Sequence, residues 1–322
     1  MNTLPSDSGR VFDAPSTNWV YRVLPRALWP YAQLARWDRP IGWQLLMWPC
    51  FWSAALAANT AALEGTASVG RLCIHLALFF VGAVAMRGAG CTYNDIVDET
   101  IDRAVARTRS RPLPSGRVSR RDAKLFMALQ GLVGLVVLLQ FNLFTIVLGL
   151  LSLGFVAIYP FAKRFTDWPQ FFLGMAFSWG AVMGWAAEFG RLSAAPVLLY
   201  LAAIAWTVGY DTIYAYQDRE DDELVGVRST ARRFGERPKP WLVALYGLTL
   251  VLLVLSFALA GAGALAYLAL AAAAVLLFYQ ILVLDIHDAG QCMILFRFNG
   301  AVGLIIFAGL ASAFLLRWIL SP

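Results

Sequence analysis

Nine apolar stretches, each close to the length of a membrane-crossing helix, alternate with short polar or charged connections along the 322 residues. They cover approximately 41–62, 71–93, 123–142, 144–162, 169–189, 196–216, 241–261, 264–284 and 298–319. About 20 apolar residues in helical conformation cross the hydrocarbon core of a bilayer. The pattern therefore predicts an all-α polytopic membrane protein with nine transmembrane helices. Only Phe141–Asn142 separates the third stretch from the fourth, and only Gly261–Gly263 the seventh from the eighth, so both pairs are expected to form tight helical hairpins. Residues 1–36 read as a polar N-terminal tail and 37–322 as a single intramembrane domain.

Composition agrees. Hydrophobic residues make up 60% of the chain and charged residues 14%, against about 45–50% and about 25% in soluble domains. A net charge of +6 raises nucleic acid as a partner, and its distribution removes that reading. Of the 26 Lys and Arg residues, 22 fall in the N-terminal tail and every second connection, 3 in the opposite set, and Arg87 inside the second stretch. Such asymmetry orients a chain in lipid with its basic loops in the cytoplasm. The N-terminus and the charged loops are expected to be cytoplasmic and the C-terminus periplasmic. The first thirty residues, with Pro5, Asp7, Arg10, Asp13 and Pro15, lack the charged-then-apolar order of a signal peptide. Without an Arg- and Ser-rich transit peptide either, the sequence fits a bacterial inner membrane. Cys50, Cys73, Cys91 and Cys292 form no CxxC pair and read as small buried thiols. Two isolated histidines, His75 and His287, do not suggest zinc.

Two acidic clusters interrupt this apolar background on the same expected side. In "CTYNDIVDETIDRAVARTRSRPLPSG", Asn94, Asp98 and Asp102 are spaced four and four, which stacks them on one helical face, with Asp95 beside them. In "YDTIYAYQDREDDELVG", Asp211, Asp218 and Asp222 are spaced seven and four. Each cluster precedes a basic run, "RAVARTRSRP" or "RSTARR". Stacked carboxylates repel one another and call for a cation. Oxygen donors at a membrane surface suit Mg²⁺, which commonly bridges carboxylates to substrate phosphates. Arginines alongside would hold the remaining phosphate oxygens in bidentate contacts. A single DxxxD is commonly a solvated helix end; two with matching phase, side and basic flanks point to a diphosphate and its metal ions.

These two motifs resemble the UbiA-type intramembrane prenyltransferases. "ARWDRPIGWQLLMWPCFW" and "YPFAKRFTDWPQFFLG" resemble the branch acting on 4-hydroxybenzoate, and "HDAGQCMILFRFNGAVG" does so more loosely. The resemblance covers most of the chain beyond the tail. It implies nine helices around a central cavity with a cytoplasmic polar cap. It assigns Asn94, Asp98 and Asp102 to one Mg²⁺ and Asp218 and Asp222 to another, with turnover depending on Asp98 and Asp218. Lys163 and Arg164 would bind the diphosphate, helped by Arg107 and Arg111. Arg36 would meet the carboxylate of the aromatic acceptor, and Asp211 would orient or deprotonate its phenol. The sequence departs from the family at Glu99, where relatives often carry Arg, and Arg103 stands four residues on as a substitute. Gln44 also stands where a smaller residue is expected.

The implied partners are a polyprenyl diphosphate, 4-hydroxybenzoate and membrane lipid, with the reaction a step of ubiquinone assembly. Ionisation of an allylic diphosphate needs its growing negative charge neutralised and its cation kept from water. A transporter would also carry intramembrane acids, but its site belongs near the midplane, whereas both clusters sit at one surface. The same chemistry on haem, a naphthoate, homogentisate or a chlorophyll precursor is the alternative within the family.

Overall fold

Helix ends fall where side chains supply what the backbone lacks there. Asn142 caps one helix by accepting from Thr145 N at 3.0 Å, and Ser229 caps another by accepting from Arg232 N. Pro169 and Pro238 each open a helix at its first position, where a missing N–H costs nothing. Gly190 closes a helix in the left-handed region, at φ 63°. The computed structural model describes residues 9–11, 14, 17–105, 108–219 and 226–320, with no strand among them.

In chain order the helices are α1 (Trp19–Val23), α2 (Trp29–Leu34), α3 (Ile41–Leu63), α4 (Val69–Val97), α5 (Glu99–Ala104), α6 (Arg120–Leu138) and α7 (Leu143–Phe165). There follow α8 (Pro169–Phe177), α9 (Gly180–Phe189), α10 (Ala194–Ala215), α11 (Thr230–Phe234), α12 (Pro238–Leu259), α13 (Ala264–Val283) and α14 (Ala289–Leu320). Every predicted stretch is helical, with two differences. The fifth divides at Ser178–Trp179 into α8 and α9. The last begins at Ala289 rather than 298, because Cys292, Leu295 and Asn299 already form a buried helical face there.

Among the described residues six helices are long and apolar enough to cross a membrane: α4, α7, α10 with its continuation to Asp218, α12, α13 and α14. The three other predicted spans carry polar content or a break. Helix α3 holds Gln44, Asn59 and three tryptophans, α6 opens on Arg120, Arg121, Asp122 and Lys124, and α8–α9 is interrupted. Of the cysteines, Cys91 and Cys292 are buried and Cys50 is half-buried, but Cys73 is exposed. Apolar surroundings in the sequence do not imply burial when the outer face of a helix meets lipid.

The chain divides into two compact units, Met1–Gln44 with Val81–Val137, and Leu45–Phe80 with Leu138–Pro322. In the first, Leu34, Ile96, Leu113, Val118 and Ala123 form a core against which Tyr31 and Phe126 pack edge to face. In the second, α10 is the central pillar, packed against α8, α9, α12 and α14. Its apolar window is 67% buried, against 17–39% for the other five spans. Several buried polar groups within this unit bond to one another across helices, as the lack of water in lipid favours. Trp206 Nε1 donates to Asn299 Oδ1 and Asn299 Nδ2 to Gln280 Oε1, both at 2.9 Å, joining α10, α14 and α13.

Close backbone approach joins α3 to α9. A Cβ on Gly184 would collide with the Ala54 backbone nitrogen, and one on Gly180 would collide with Cys50. Ser53 Oγ accepts from Trp185 N at 2.8 Å at the same crossing. By contrast, Gly154 on α7 has open space around its Cβ position. Gly184→Ala should therefore lower the thermal stability of the detergent-solubilised protein, by about 1–3 kcal/mol for overpacking. Gly154→Ala should leave it unchanged or raise it; equal losses in both would contradict the close crossing.

Candidate active site

In the first unit, α4 ends at Val97 and the chain bends at Asp98, with φ −98° and ψ 7°. The helical hydrogen-bond register nevertheless runs through the bend. Asp98 N donates to Asn94 O at 2.9 Å and Asp102 N to Asp98 O at 2.8 Å. The four-residue steps read from the sequence thus link Asn94, Asp98 and Asp102 along one backbone path. Asp98 and Asp102 are both buried and Asn94 is half-buried.

Arginines from two other segments converge on these acids. Arg36 Nη2 donates to Asp95 Oδ1 at 2.5 Å and Arg36 Nη1 to Gln33 O at 2.7 Å. Arg111 Nη1 lies 3.1 Å from Asp102 Oδ2 and 3.5 Å from Asp95 Oδ1. Asp95 is thereby the junction between the two arginines. The sequence places Asp95 beside the stacked acids without a role, although Asp95, Asp98 and Asp102, spaced three and four, also mark a helical face.

The corner that delivers Arg36 is unusual. Trp37 N bonds to Ala32 O and Arg36 N to Gln33 O, the two bonds that close a helix when its next residue is left-handed. That residue is commonly glycine; here it is Arg36 at φ 58°, the one non-glycine residue with positive φ among those described. A bulky residue held there costs on the order of 1 kcal/mol, and its ion pair with Asp95 opposes that cost.

Burial pushes the Asp102 carboxyl above the usual carboxylate range; Arg111 pulls it back, while Asp95 and Asp98 push it further up. Asp95 Oδ2 is buried and accepts no hydrogen bond from a described residue. Among the described residues no three Asp, Glu, His or Cys side chains converge into a ready-made metal cage. Oxygen-only donors, with the buried Asp95 Oδ2 still able to accept, fit Mg²⁺, which binds through one or two carboxylates and completes its shell with water and phosphate.

The second unit carries Asp211, Asp218, Lys163 and Arg164. Asp211 is half-buried on α10, and Asp218 ends the 3₁₀ turn that follows it. Lys163 and Arg164 occupy the last turn of α7, with the Arg164 guanidinium 5.2 Å from the Phe161 ring centroid. The segment after Gly226 is tied back to these helices. Arg228 N donates to Lys163 O and its Nη1 to Phe165 O, both at 3.2 Å. Thr230 Oγ1 lies 2.6 Å from Thr212 Oγ1 of α10, and Thr230 N donates to Gln170 Oε1 at 3.0 Å. Arg228, Thr230 and Gln170 were not singled out in the sequence; the hints were the "RSTARR" run for the first two and "YPFAKRFTDWPQFFLG" for Gln170. Asp222 and Arg107 lie outside the described residues. Glu99 pairs with Arg103 at 2.6 Å, so the arginine four residues on faces the substituted acid itself.

The sequence profile of the UbiA prenyltransferase family matches residues 46–303. The chain belongs to that family. It is 46% identical over 289 residues to a protein of Drosophila pseudoobscura pseudoobscura named 4-hydroxybenzoate polyprenyltransferase, mitochondrial, covering 89% of this chain and 71% of that one. Among solved structures, the apo UbiA homologue of Aeropyrum pernix K1 superposes with a TM-score of 0.67 at 26% identity, over 84% of this chain and 97% of that one. A UbiA homologue of Archaeoglobus fulgidus, bound to GPP and Mg²⁺, gives a TM-score of 0.60 at 18% identity, covering 88% and 99%. These superpositions establish the all-helical family fold for this multi-pass membrane protein.

The ion-pair geometry gives a stability ranking. Asp95→Asn leaves two guanidinium groups short of a buried partner, a loss of about 3–5 kcal/mol for a broken buried pair. Glu99→Gln disrupts a pair whose Arg103 side chain is 58% exposed, where exposed pairs are worth about 0–1 kcal/mol. Thermal unfolding in detergent should rank Asp95→Asn well below Glu99→Gln, and the reverse order would remove Asp95 from its junction.

Proposed function

We propose that this protein transfers a polyprenyl group from an allylic polyprenyl diphosphate to 4-hydroxybenzoate, at the ring carbon ortho to the hydroxyl, in ubiquinone assembly. The observation that carries the reading is the convergence of buried acids and two arginines at the end of α4, in a chain 46% identical to a relative with that name. The GPP- and Mg²⁺-bound fold relative supports the diphosphate and the metal.

Asn94, Asp98 and Asp102 would hold one Mg²⁺, and Asp218 and Asp222 another; bound there, the metal supplies positive charge for the leaving diphosphate. Lys163 and Arg164, with Arg107 and Arg111, supply further positive charge to the same oxygens. The allylic C–O bond breaks with its electron pair going to diphosphate, and the allylic carbon bonds to the ring carbon. The proton displaced from that carbon leaves to a base. Asp211 accepts a hydrogen bond from the phenol, which raises electron density in the ring. Arg36 offers a guanidinium to the acceptor's carboxylate, with Asp95 fixing its direction. The apolar spans keep water from the cation.

Helices α3, α6 and the α8–α9 pair complete nine spans, with the acidic ends forming a cytoplasmic cap. The basic loops favour a cytoplasmic N-terminus and a periplasmic C-terminus in a bacterial inner membrane, with the mitochondrial relative as the counterpart in an organelle. Residues 37–322 form the catalytic domain and 1–36 its tail.

Membranes containing the protein should move label from radiolabelled 4-hydroxybenzoate into an organic-soluble product with an allylic diphosphate and Mg²⁺, and chelation should stop it. Diphosphate release without transfer of label would overturn the acceptor. Asp98→Ala and Asp218→Ala should each lower turnover by at least about 10²-fold, the scale of losing a preorganised electrostatic group, while thermal unfolding stays cooperative. Arg36→Lys keeps a charge near Asp95 but loses the planar fork. It should raise KM for 4-hydroxybenzoate with kcat little changed; an unchanged KM would remove Arg36 from the acceptor site.

A further inference from the structure

A cavity of about 430 Å³ opens in the second unit between residues 236–240, entering α12, and 284–287, leaving α13. Its charged lining balances: Arg237 and Lys239 against Glu236 and Asp285. Among the described residues the exposed Arg237 guanidinium makes no ion pair or hydrogen bond, and Lys239 Nζ donates to Leu282 O at 3.1 Å with two further donors to offer. Glu236 is held by Arg219 at 2.6 Å and His287 at 3.3 Å. Among the described residues the exposed Asp285 carboxylate accepts a single hydrogen bond, from the backbone N–H of His287 at 2.9 Å. Both walls continue into membrane-facing surface, where Trp241 is 45% and Leu282 76% exposed. Pro238 and Pro240 remove two N–H groups from the first turn of α12, so an anion here is bound by side chains and not by the helix end.

We propose that this cavity binds the headgroup of a zwitterionic aminophospholipid, phosphatidylethanolamine, from the surrounding leaflet. Its phosphate meets Arg237 and Lys239 and its ammonium meets Asp285, while the acyl chains follow the exposed faces of α12 and α13. The position suits a lipid, since α12 and α13 both span the membrane and the cavity lies where they emerge at the headgroup level. The balanced lining decides between headgroups. Phosphatidylglycerol carries the same phosphate but a neutral glycerol in place of the ammonium, so it leaves the Asp285 carboxylate without a counter-charge. A choline headgroup brings a cation that cannot donate a hydrogen bond to Asp285, and the lining has no aromatic cage to replace that bond. This site is separate from the residues assigned to prenyl transfer and does not depend on that assignment.

The full-length protein, exchanged into micelles with equal amounts of phosphatidylethanolamine, phosphatidylcholine and phosphatidylglycerol, is separated by gel filtration and its retained lipids are measured by mass spectrometry. Phosphatidylethanolamine should be enriched about tenfold over each of the others, the scale of one charge-assisted bond. Arg237→Gln with Lys239→Gln should abolish the enrichment. Asp285→Asn should abolish discrimination from phosphatidylglycerol and phosphatidylcholine while lipid is still retained. Arg237 and Asp285 are exposed, so neither change removes buried packing, and an unaltered unfolding temperature checks this. Enrichment of phosphatidylglycerol, no enrichment in the wild type, or enrichment that survives both variants would overturn the proposal. Free phosphoethanolamine should not compete at equal concentration; competition as strong as the lipid's would make the ligand a soluble phosphoester and overturn the lipid assignment.

Discussion

Carboxylates taken out of water inside an apolar protein hold their charge only if cations reach them, and much of the first unit is organised around that requirement. Desolvating each ion costs several kcal/mol after relaxation. Arg36 and Arg111 come from connections far apart in sequence and meet at Asp95. Their reach dictates the left-handed corner after α2 and brings the segment around residue 111 against the end of α4. Packing of Leu34, Leu113 and Val118 then follows from segments already drawn together by charge.

In the second unit the same problem is solved with neutral groups. Helix α10 is enclosed by its neighbours, and its polar side chains bond to theirs. Thr212 and Gln170 fix Thr230, and the Lys163 and Phe165 carbonyls fix Arg228. The chain from Arg228 toward α12 is therefore anchored to rigid helices, α8 and α10 among them, and to the basic end of α7. Side chains set on helix ends keep their positions better than side chains on long loops.

Much of this was legible in the sequence because membrane spans and helical registers are local properties. The nine stretches, the Asn94–Asp98–Asp102 spacing and the two acid-then-basic motifs needed no tertiary information. What escaped depends on neighbours distant in the chain. Asp95 looked like a companion of the stacked acids until Arg36 and Arg111 closed on it. The division of α8 from α9 accompanies Gly180 meeting the α3 backbone, which hydropathy does not encode. Cys73 has the same apolar context as Cys91, yet only the packing of α4 decides which side chain faces outward. The early start of α14 was hidden because Gly290, Gln291 and Arg297 read as a polar connection, while the buried face of Cys292, Leu295 and Asn299 runs between them.

The unbroken register through the bend at Asp98 constrains chain length as well as composition. One added or deleted residue between Asn94 and Asp102 would turn everything downstream by about 100°. Asp102 and Arg111 would then lose their alignment with Asp95 together, although no side chain had been replaced. Length variation in this chain belongs in connections that carry no such phase, such as Glu64–Ser68 between α3 and α4, and the stretch from Asn94 to Asp102 should vary only by substitution.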